Sequence, residues 1–447
     1  MFQTDFTTDE LKARRERVAE AIGEGAIALL QGADDPPSMG VFRQTNEIYY
    51  LSGIEVPHAY LVIRGGSGHS TLFLPRQSLL NKDCELLPLS SDDPERAVEK
   101  TGVDDVRGIE DLHGALKGAG VIYTLLHEGQ GEMCTSGSLS GRSRGVMADL
   151  WDCRPDRAMH FVNLIRERCP LAEIRDIDGI IRTLRRDKSP AEIALCRRAG
   201  ELSARGVCDA IRSTRPGVME YELDGIQRYH YVAGGGRGRG YSAIVASGVN
   251  TFYGHYMRNF SELKDGDWVL LDCAPDYRYY TSDIGRMWPV NGTYSKTQRA
   301  LYGFVIEYHK VLLSQVRAGR TLEEIRVESA EIMKGKIGDF EFASSAHEAA
   351  ARRMFDSHAH LSHTVGMAVH DGGGHKGVPL VPGIVFSVDP QFVLPEEKLY
   401  VRCEDTGVVT EDGFDVFTKD APLELDDVEA MMKEEGILQS FPPVRDR

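Results

Sequence analysis

The sequence has no long apolar run: nothing in its 447 residues approaches the roughly 18 consecutive apolar positions a helical membrane span needs. Its first residues, Met-Phe-Gln-Thr-Asp-Phe-Thr-Thr-Asp-Glu, lack the basic n-region and apolar h-region of a secretory signal, so a cytoplasmic location is expected. None of the eight cysteines (Cys84, Cys134, Cys153, Cys169, Cys196, Cys208, Cys273 and Cys403) stands in a Cys-x-x-Cys spacing. That fits reduced thiols better than a disulfide framework or a zinc knuckle. Positive charge is scarce, with 52 Lys and Arg against 68 Asp and Glu and a formal net charge of −16. A nucleic-acid or anionic-membrane partner needs a basic face and is therefore not expected. Internal repeats and low-complexity tracts are missing too.

What is present is a chain long enough for two domains, with carboxylates to spare for a hard cation. An amphipathic helix near residues 8–23 leads into a short buried strand at Ala26–Leu30. Tyr60–Ile63 and Ser70–Leu74 form a hairpin pattern around Arg64-Gly-Gly-Ser-Gly68, and Val121–Leu126 reads as another strand. The first part is thus an α/β domain on a mixed sheet. Ser189-Pro190-Ala-Glu192 has the signature of a helix start, with Ser189 as N-cap, Pro190 at N1 and Glu192 as capping-box acid. This start places a boundary that gives domains of residues 1–184 and 185–447. Helices are predicted from there to about Ile211, near 220–232, 295–318 and 321–336, and in the acidic tail Leu425–Glu435. The glycine cluster Gly234–Gly240 does not follow a strand in the βαβ context of a phosphate loop, so a linker or close backbone approach is the better reading.

The chemistry starts at Trp268-Val-Leu-Leu-Asp272 and Ser-Asp283-Ile-Gly-Arg-Met-Trp288, where two aspartates eleven residues apart lie in an apolar hairpin. With the turn centred between Tyr277 and Arg278, Asp272 and Asp283 become a directly opposed cross-strand pair. Their Cβ atoms would then be about 4.5–5.5 Å apart. Two like charges that close repel unless one protonates or a cation intervenes.

Three later segments put ionisable groups into apolar, strand-like settings: His358-Ala-His-Leu-Ser-His363-Thr-Val-Gly-Met-Ala-Val-His370, Val-Phe-Ser-Val-Asp389-Pro390, and Leu399-Tyr-Val-Arg402-Cys-Glu404. Taken singly, each has a plain alternative. A lone histidine is usually a core or surface residue, Asp-Pro usually starts a turn, and Arg402 with Glu404, two apart on one strand, could be a surface pair. Together, Asp272, Asp283, His363, Asp389 and Glu404 supply four carboxylates and one imidazole, and buried carboxylates must be paired or metal-bound. Oxygen-rich ligands with one nitrogen suit Mn²⁺, with Co²⁺, Fe²⁺ and Zn²⁺ as competitors. Four carboxylates hold the charge for two divalent ions and a bridging hydroxide.

These motifs resemble the pita-bread metallopeptidases, which include aminopeptidase P, prolidase and methionine aminopeptidase. The paired-aspartate segment, the segment around His363, the strand of Glu404 and the start at Lys188-Ser-Pro-Ala-Glu-Ile-Ala all match in order. Phe42-Arg43-Gln-Thr-Asn-Glu-Ile-Tyr49-Tyr50-Leu-Ser-Gly53 looks like bacterial aminopeptidase P in particular. The resemblance implies a creatinase/prolidase-like α/β N-terminal domain followed by an α+β pita-bread catalytic domain. It implies that Asp272 chelates one metal, His363 and Asp389 are terminal ligands of the other, and Asp283 and Glu404 bridge both. His255 and His370 fall on substrate or transition-state histidines, Arg402 on an arginine that orients a bridging carboxylate, and Asp389 or Glu404 on the proton shuttle. The implied activity is release of the N-terminal residue from peptides with proline second, by a homodimer or homotetramer.

Alternatives are a prolidase restricted to dipeptides, a metal-free creatinase-like hydrolase, or a non-catalytic binding module on the same fold. Two departures stand out: Asp389 occupies a position that is glutamate in relatives, and Ala359 one that is often histidine, flanked here by His358 and His360.

Overall fold

A computed structural model describes residues 3–35, 40–80, 88–373 and 377–444. The chain divides into two compact units, Met1–Arg185 and Arg186–Arg447.

In the first unit the expected hairpin forms, with β2 (Tyr60–Arg64) and β3 (Ser70–Leu74) antiparallel and β1 (Ala26–Gln31) antiparallel to β2. β4 (Asp105–Gly108), β5 (Val121–Thr124) and β6 (Glu173–Asp176) add parallel pairings, giving a mixed six-stranded sheet in the order β4-β3-β2-β1-β5-β6. The fifth strand stops at Thr124, two residues short of the apolar run. Alternating residues Ile27 and Leu29, with Val62, Phe73 and Ile122, turn one sheet face toward Phe161 and Ile165 of helix Arg157–Arg168. The N-terminal helix spans Thr8–Ile22, capped by the Thr7 side chain.

The second unit opens as its sequence dictates. Ser189 Oγ accepts from the Glu192 N–H at 3.3 Å and Glu192 Oε2 accepts from the Ser189 N–H at 2.9 Å, starting helix Pro190–Ser213 with proline at the first turn. Helices Glu220–Ala233, Lys296–Gln315 and Leu322–Lys336 follow. They share one continuous core with a seven-stranded antiparallel sheet. Its order is β12 (Leu361–Thr364), β13 (Val385–Val388), β16 (Glu404–Val409), β11 (Ile284–Pro289), β9 (Trp268–Asp272) and β8 (Ile244–Ser247), with β17 (Phe414–Val416) also on β16. Two small ribbons complete the unit: β7 (Gly238–Arg239) with β10 (Pro275–Asp276), and β14 (Gln391–Leu394) with β15 (Leu399–Arg402). At Gly240 a Cβ would lie 2.2 Å from Thr281 Oγ1, so the glycine cluster serves close backbone approach. The tail helix is shorter than expected, Leu425–Met431. Among the described residues no helix is long and apolar enough to cross a membrane.

The aspartate hairpin departs from its expected register. The turn is centred one residue later, between Arg278 (φ 51°) and Tyr279 (φ 74°), and Asp272 faces Gly285 instead of Asp283. Two consecutive positive φ values are the geometry of a tight type I′ turn. Here Asp276 Oδ1 supports it by accepting from the Tyr279 N–H at 2.9 Å. Asp283 is therefore diagonal to Asp272, on the same face of the ribbon.

Candidate active site

Gly285 is the centre of the arrangement. It pairs with Asp272 on one side and Glu404 on the other, so three neighbouring strands present Asp272, Gly285 and Glu404 in one row. A Cβ at Gly285 would stand 3.1 Å from Glu404 Cβ and 3.3 Å from Glu404 Oε2; the missing side chain makes the hollow that the carboxylates occupy. Asp283, two residues earlier, lines the same face. Asp389 follows β13 directly and is tied to the adjacent strand by its N–H to the His360 carbonyl at 2.8 Å. His363 lies where the β12–β13 register slips, between the pairs Leu361↔Val388 and Thr364↔Phe386.

The structure thus gathers Asp272, Asp283, His363, Asp389, Arg402 and Glu404 at one place. The four carboxylates are at most 4% exposed. Arg402 and Glu404 do not share one strand as the spacing suggested: β15 ends at Arg402 and β16 begins at Glu404, with Cys403 at the break. Their side chains still converge. Arg402 Nη1 donates to Asp272 Oδ2 at 2.7 Å, Nε to Asp389 Oδ1 at 3.0 Å, and Nη2 to Glu404 Oε2. One guanidinium therefore holds three carboxylates.

A second organiser carried no signal in its local sequence. The Tyr241 hydroxyl lies 2.7 Å from Asp272 Oδ1 and 2.5 Å from Asp283 Oδ1. Burial and those two carboxylates push its pKa well above the ordinary value, so it stays a donor shared between the aspartates.

Four acids against one arginine leave an excess of buried negative charge. Burial raises the pKa of Asp283, with Asp272 adding to it and Arg402 opposing; Glu404 and Asp389 are raised by burial in the same way, again against Arg402. His363 is lowered to about 3 by burial and then by His370, so its imidazole is neutral. Its Nδ1 faces the Thr364 carbonyl at 3.4 Å, and in the tautomer that donates there Nε2 turns a lone pair toward Asp283 Oδ2 at 3.5 Å and Glu404 Oε1 at 4.0 Å. Ligand atoms of Asp283, His363 and Glu404 all lie within 4.8 Å of one another. Acceptors converging without enough donors fit a divalent cation.

His370 stacks edge-on against His363 with ring centroids 4.3 Å apart. Desolvation, and then His255, lower its pKa. His255 itself lies on the exposed loop after the turn Gly248–Phe252.

Neither histidine beside Ala359 enters the site. His358 is exposed, 3.8 Å from Glu323, whereas His360 is buried, 2.7 Å from the Met354 carbonyl through Nε2 and packed on Tyr308. Burial lowers the His360 pKa from 6.5 to about 4. A histidine kept neutral by folding contributes stability that is complete above pH 6.5 and is lost as pH falls toward 4, a change of about 3 kcal/mol. Thermal unfolding between pH 7.5 and 5 is accordingly expected to be less pH-sensitive in His360→Phe than in the wild type. Equal slopes would contradict that reading of the core.

A second donor group, His309, Cys403 and Asp405, is spoken for. Arg286 donates to Asp405 Oδ1 at 2.7 Å and His309 Nε2 lies 2.8 Å from Oδ2. Burial alone would raise Asp405, but Arg286 and His309 hold it below the usual carboxylate range. Arg286 Nη1 also donates to the Glu404 carbonyl at 2.7 Å, which fixes the strand carrying that acid. The Cys403 thiol turns to this side, its Sγ accepting from Arg286 Nη1 at 3.8 Å. Burial pushes Cys403 up to about 12 and Cys273 well above the ordinary thiol value.

The chain is similar to known proteins along most of its length. The family model described as Metallopeptidase family M24 matches residues 194–411, and that of the aminopeptidase P N-terminal domain matches residues 11–121. Xaa-Pro aminopeptidase of Escherichia coli is 29% identical, covering 96% of this chain and 98% of its own. Xaa-Pro aminopeptidase 3 of Rattus norvegicus is 31% identical, covering 87% and 76%. Among solved structures, proline aminopeptidase P II from Yersinia pestis aligns with a TM-score of 0.75 at 28% identity over 96% of this chain and all of the other. With this similarity running along nearly its whole length, the chain belongs to metallopeptidase family M24, in the aminopeptidase P form: an N-terminal α/β domain ahead of a pita-bread catalytic domain.

Proposed function

We propose that the protein is a metal-dependent Xaa-Pro aminopeptidase. The observation that carries this reading is the cluster of four buried carboxylates and a neutral imidazole held around one arginine. Asp272 is proposed to hold one divalent ion, His363 and Asp389 a second, with Asp283 and Glu404 shared between them. When bound, such ions supply an acidified water and polarise the scissile carbonyl.

The chain's own residues account for the rest. Glu404 and Asp389, both buried in the cluster, are the candidates to take the proton from the attacking water and return it to the prolyl nitrogen. His370 or His255 donates to the developing oxyanion. An Xaa-Pro amide has no N–H, so selectivity must come from shape and from a donor to the prolyl carbonyl or carboxylate, a role open to His370. Tyr241 and Arg402 keep the aspartates in place. The oxygen-rich set favours Mn²⁺ over Co²⁺, Zn²⁺ or Fe²⁺. The seven described cysteines are free thiols, which supports a reducing, cytoplasmic setting. A homodimer or homotetramer goes with the family resemblance and is checked by sedimentation.

The test is hydrolysis of Gly-Pro-Ala beside Gly-Pro by chelator-treated protein, with and without added Mn²⁺. Release of glycine from the tripeptide only when metal is restored is expected. Cleavage of the dipeptide alone would make the protein a prolidase, and cleavage indifferent to chelation would remove the metal from the mechanism.

A further inference from the structure

The ribbon β14–β15 places Gln391 directly opposite Arg402. Opposed residues share a face, so an amide and a guanidinium emerge side by side. Both reach Asp389, which stands two residues before Gln391. Arg402 Nε donates to Asp389 Oδ1 at 3.0 Å, and Gln391 Nε2 donates to Oδ2. The carboxylate is thereby gripped at both oxygens.

Arg402 divides its donors among three acids, so it cannot by itself fix how Asp389 is turned. Aspartate is one methylene shorter than glutamate and has less reach with which to find a cation. Each carboxylate oxygen has two acceptor positions, so an amide on one leaves the other free for a metal.

We infer that Gln391 is a positioning residue that aims the short acid Asp389 at the second ion. This rests on the metal reading of the site. A merely structural amide would cost the same on removal whatever acid stands at 389; a positioning amide becomes dispensable once the acid is long enough to reach alone.

Four full-length chains separate the two: wild type, Gln391→Met, Asp389→Glu and the double variant. Each is stripped by chelator, titrated calorimetrically with Mn²⁺, and melted in the metal-free state. Gln391→Met is expected to weaken the second ion about tenfold without lowering the metal-free melting temperature. In the Asp389→Glu background the same change is expected to alter Mn²⁺ affinity less than about twofold, well under the effect of a lost orienting contact. Gln391→Asn, too short to reach, serves as the second variant and is expected to behave like Gln391→Met. Equal losses in both backgrounds, or no loss in Gln391→Met and Gln391→Asn, would overturn the inference alone. A wild-type chain that takes up no Mn²⁺ would overturn the metal reading beneath it.

Discussion

Replacing Asp283 with alanine is expected to abolish Xaa-Pro hydrolysis, with kcat/KM falling by more than about a thousandfold, or about 4 kcal/mol at 1.4 kcal/mol per decade. Asp283 is the carboxylate that faces His363 Nε2 at 3.5 Å while sharing the Tyr241 hydroxyl with Asp272. Its removal would break the link between the two halves of the proposed ligand set. Metal content is expected to drop from two ions to one or fewer. Asp283→Asn, which keeps the shape but not the charge, is expected to lose nearly as much. A variant with near-full activity and two bound ions would refute the shared-ligand assignment.

Arg402→Met should strike the fold as well as the site. The guanidinium faces Asp272, Asp389 and Glu404 in a buried setting, and deleting one partner of a buried ion pair typically costs about 3–5 kcal/mol. In a unit of this size that corresponds to a fall of roughly 10 °C in the metal-free melting temperature. The sign of the pH dependence follows from the acids. Asp283, Asp389 and Glu404 have folded pKa values above their unfolded ones. Their contribution is therefore present at low pH and lost as pH rises through the folded values. Without Arg402 those values rise further, so the gap to wild type is expected to widen from pH 5 to pH 8 and to narrow when Mn²⁺ is added. A gap independent of both would show that Arg402 is not the counter-charge of this cluster.

Local signals were legible in the sequence wherever one residue settles its own neighbourhood. The Ser189, Pro190 and Glu192 cap needs four consecutive positions, and it forms as read. The turn at Arg278 and Tyr279 was misplaced because neither is the Gly or Asn that usually marks two positive φ values. The cue was Asp276, whose side chain closes that turn. The acids of the cluster stood out because carboxylates interrupt apolar strands. Its organisers were legible only in part: Arg402 was expected beside Glu404, but not its reach to Asp272 across 130 residues, and Tyr241, which meets its aspartates 31 and 42 residues downstream, carried no signal. Such pairings exist only once strand order is known. The role of His360 stayed open for another reason, since a core histidine and a ligand look alike until burial is seen.

Cys273 and Cys403 each sit one residue from an acid of the site, yet both are buried and both stay protonated. Peroxides and alkylating agents attack thiolates that solvent can reach. The two cysteines nearest the acids are thus poor targets for such reagents. Mild thiol modification is accordingly expected to label the exposed Cys153 before Cys273 or Cys403.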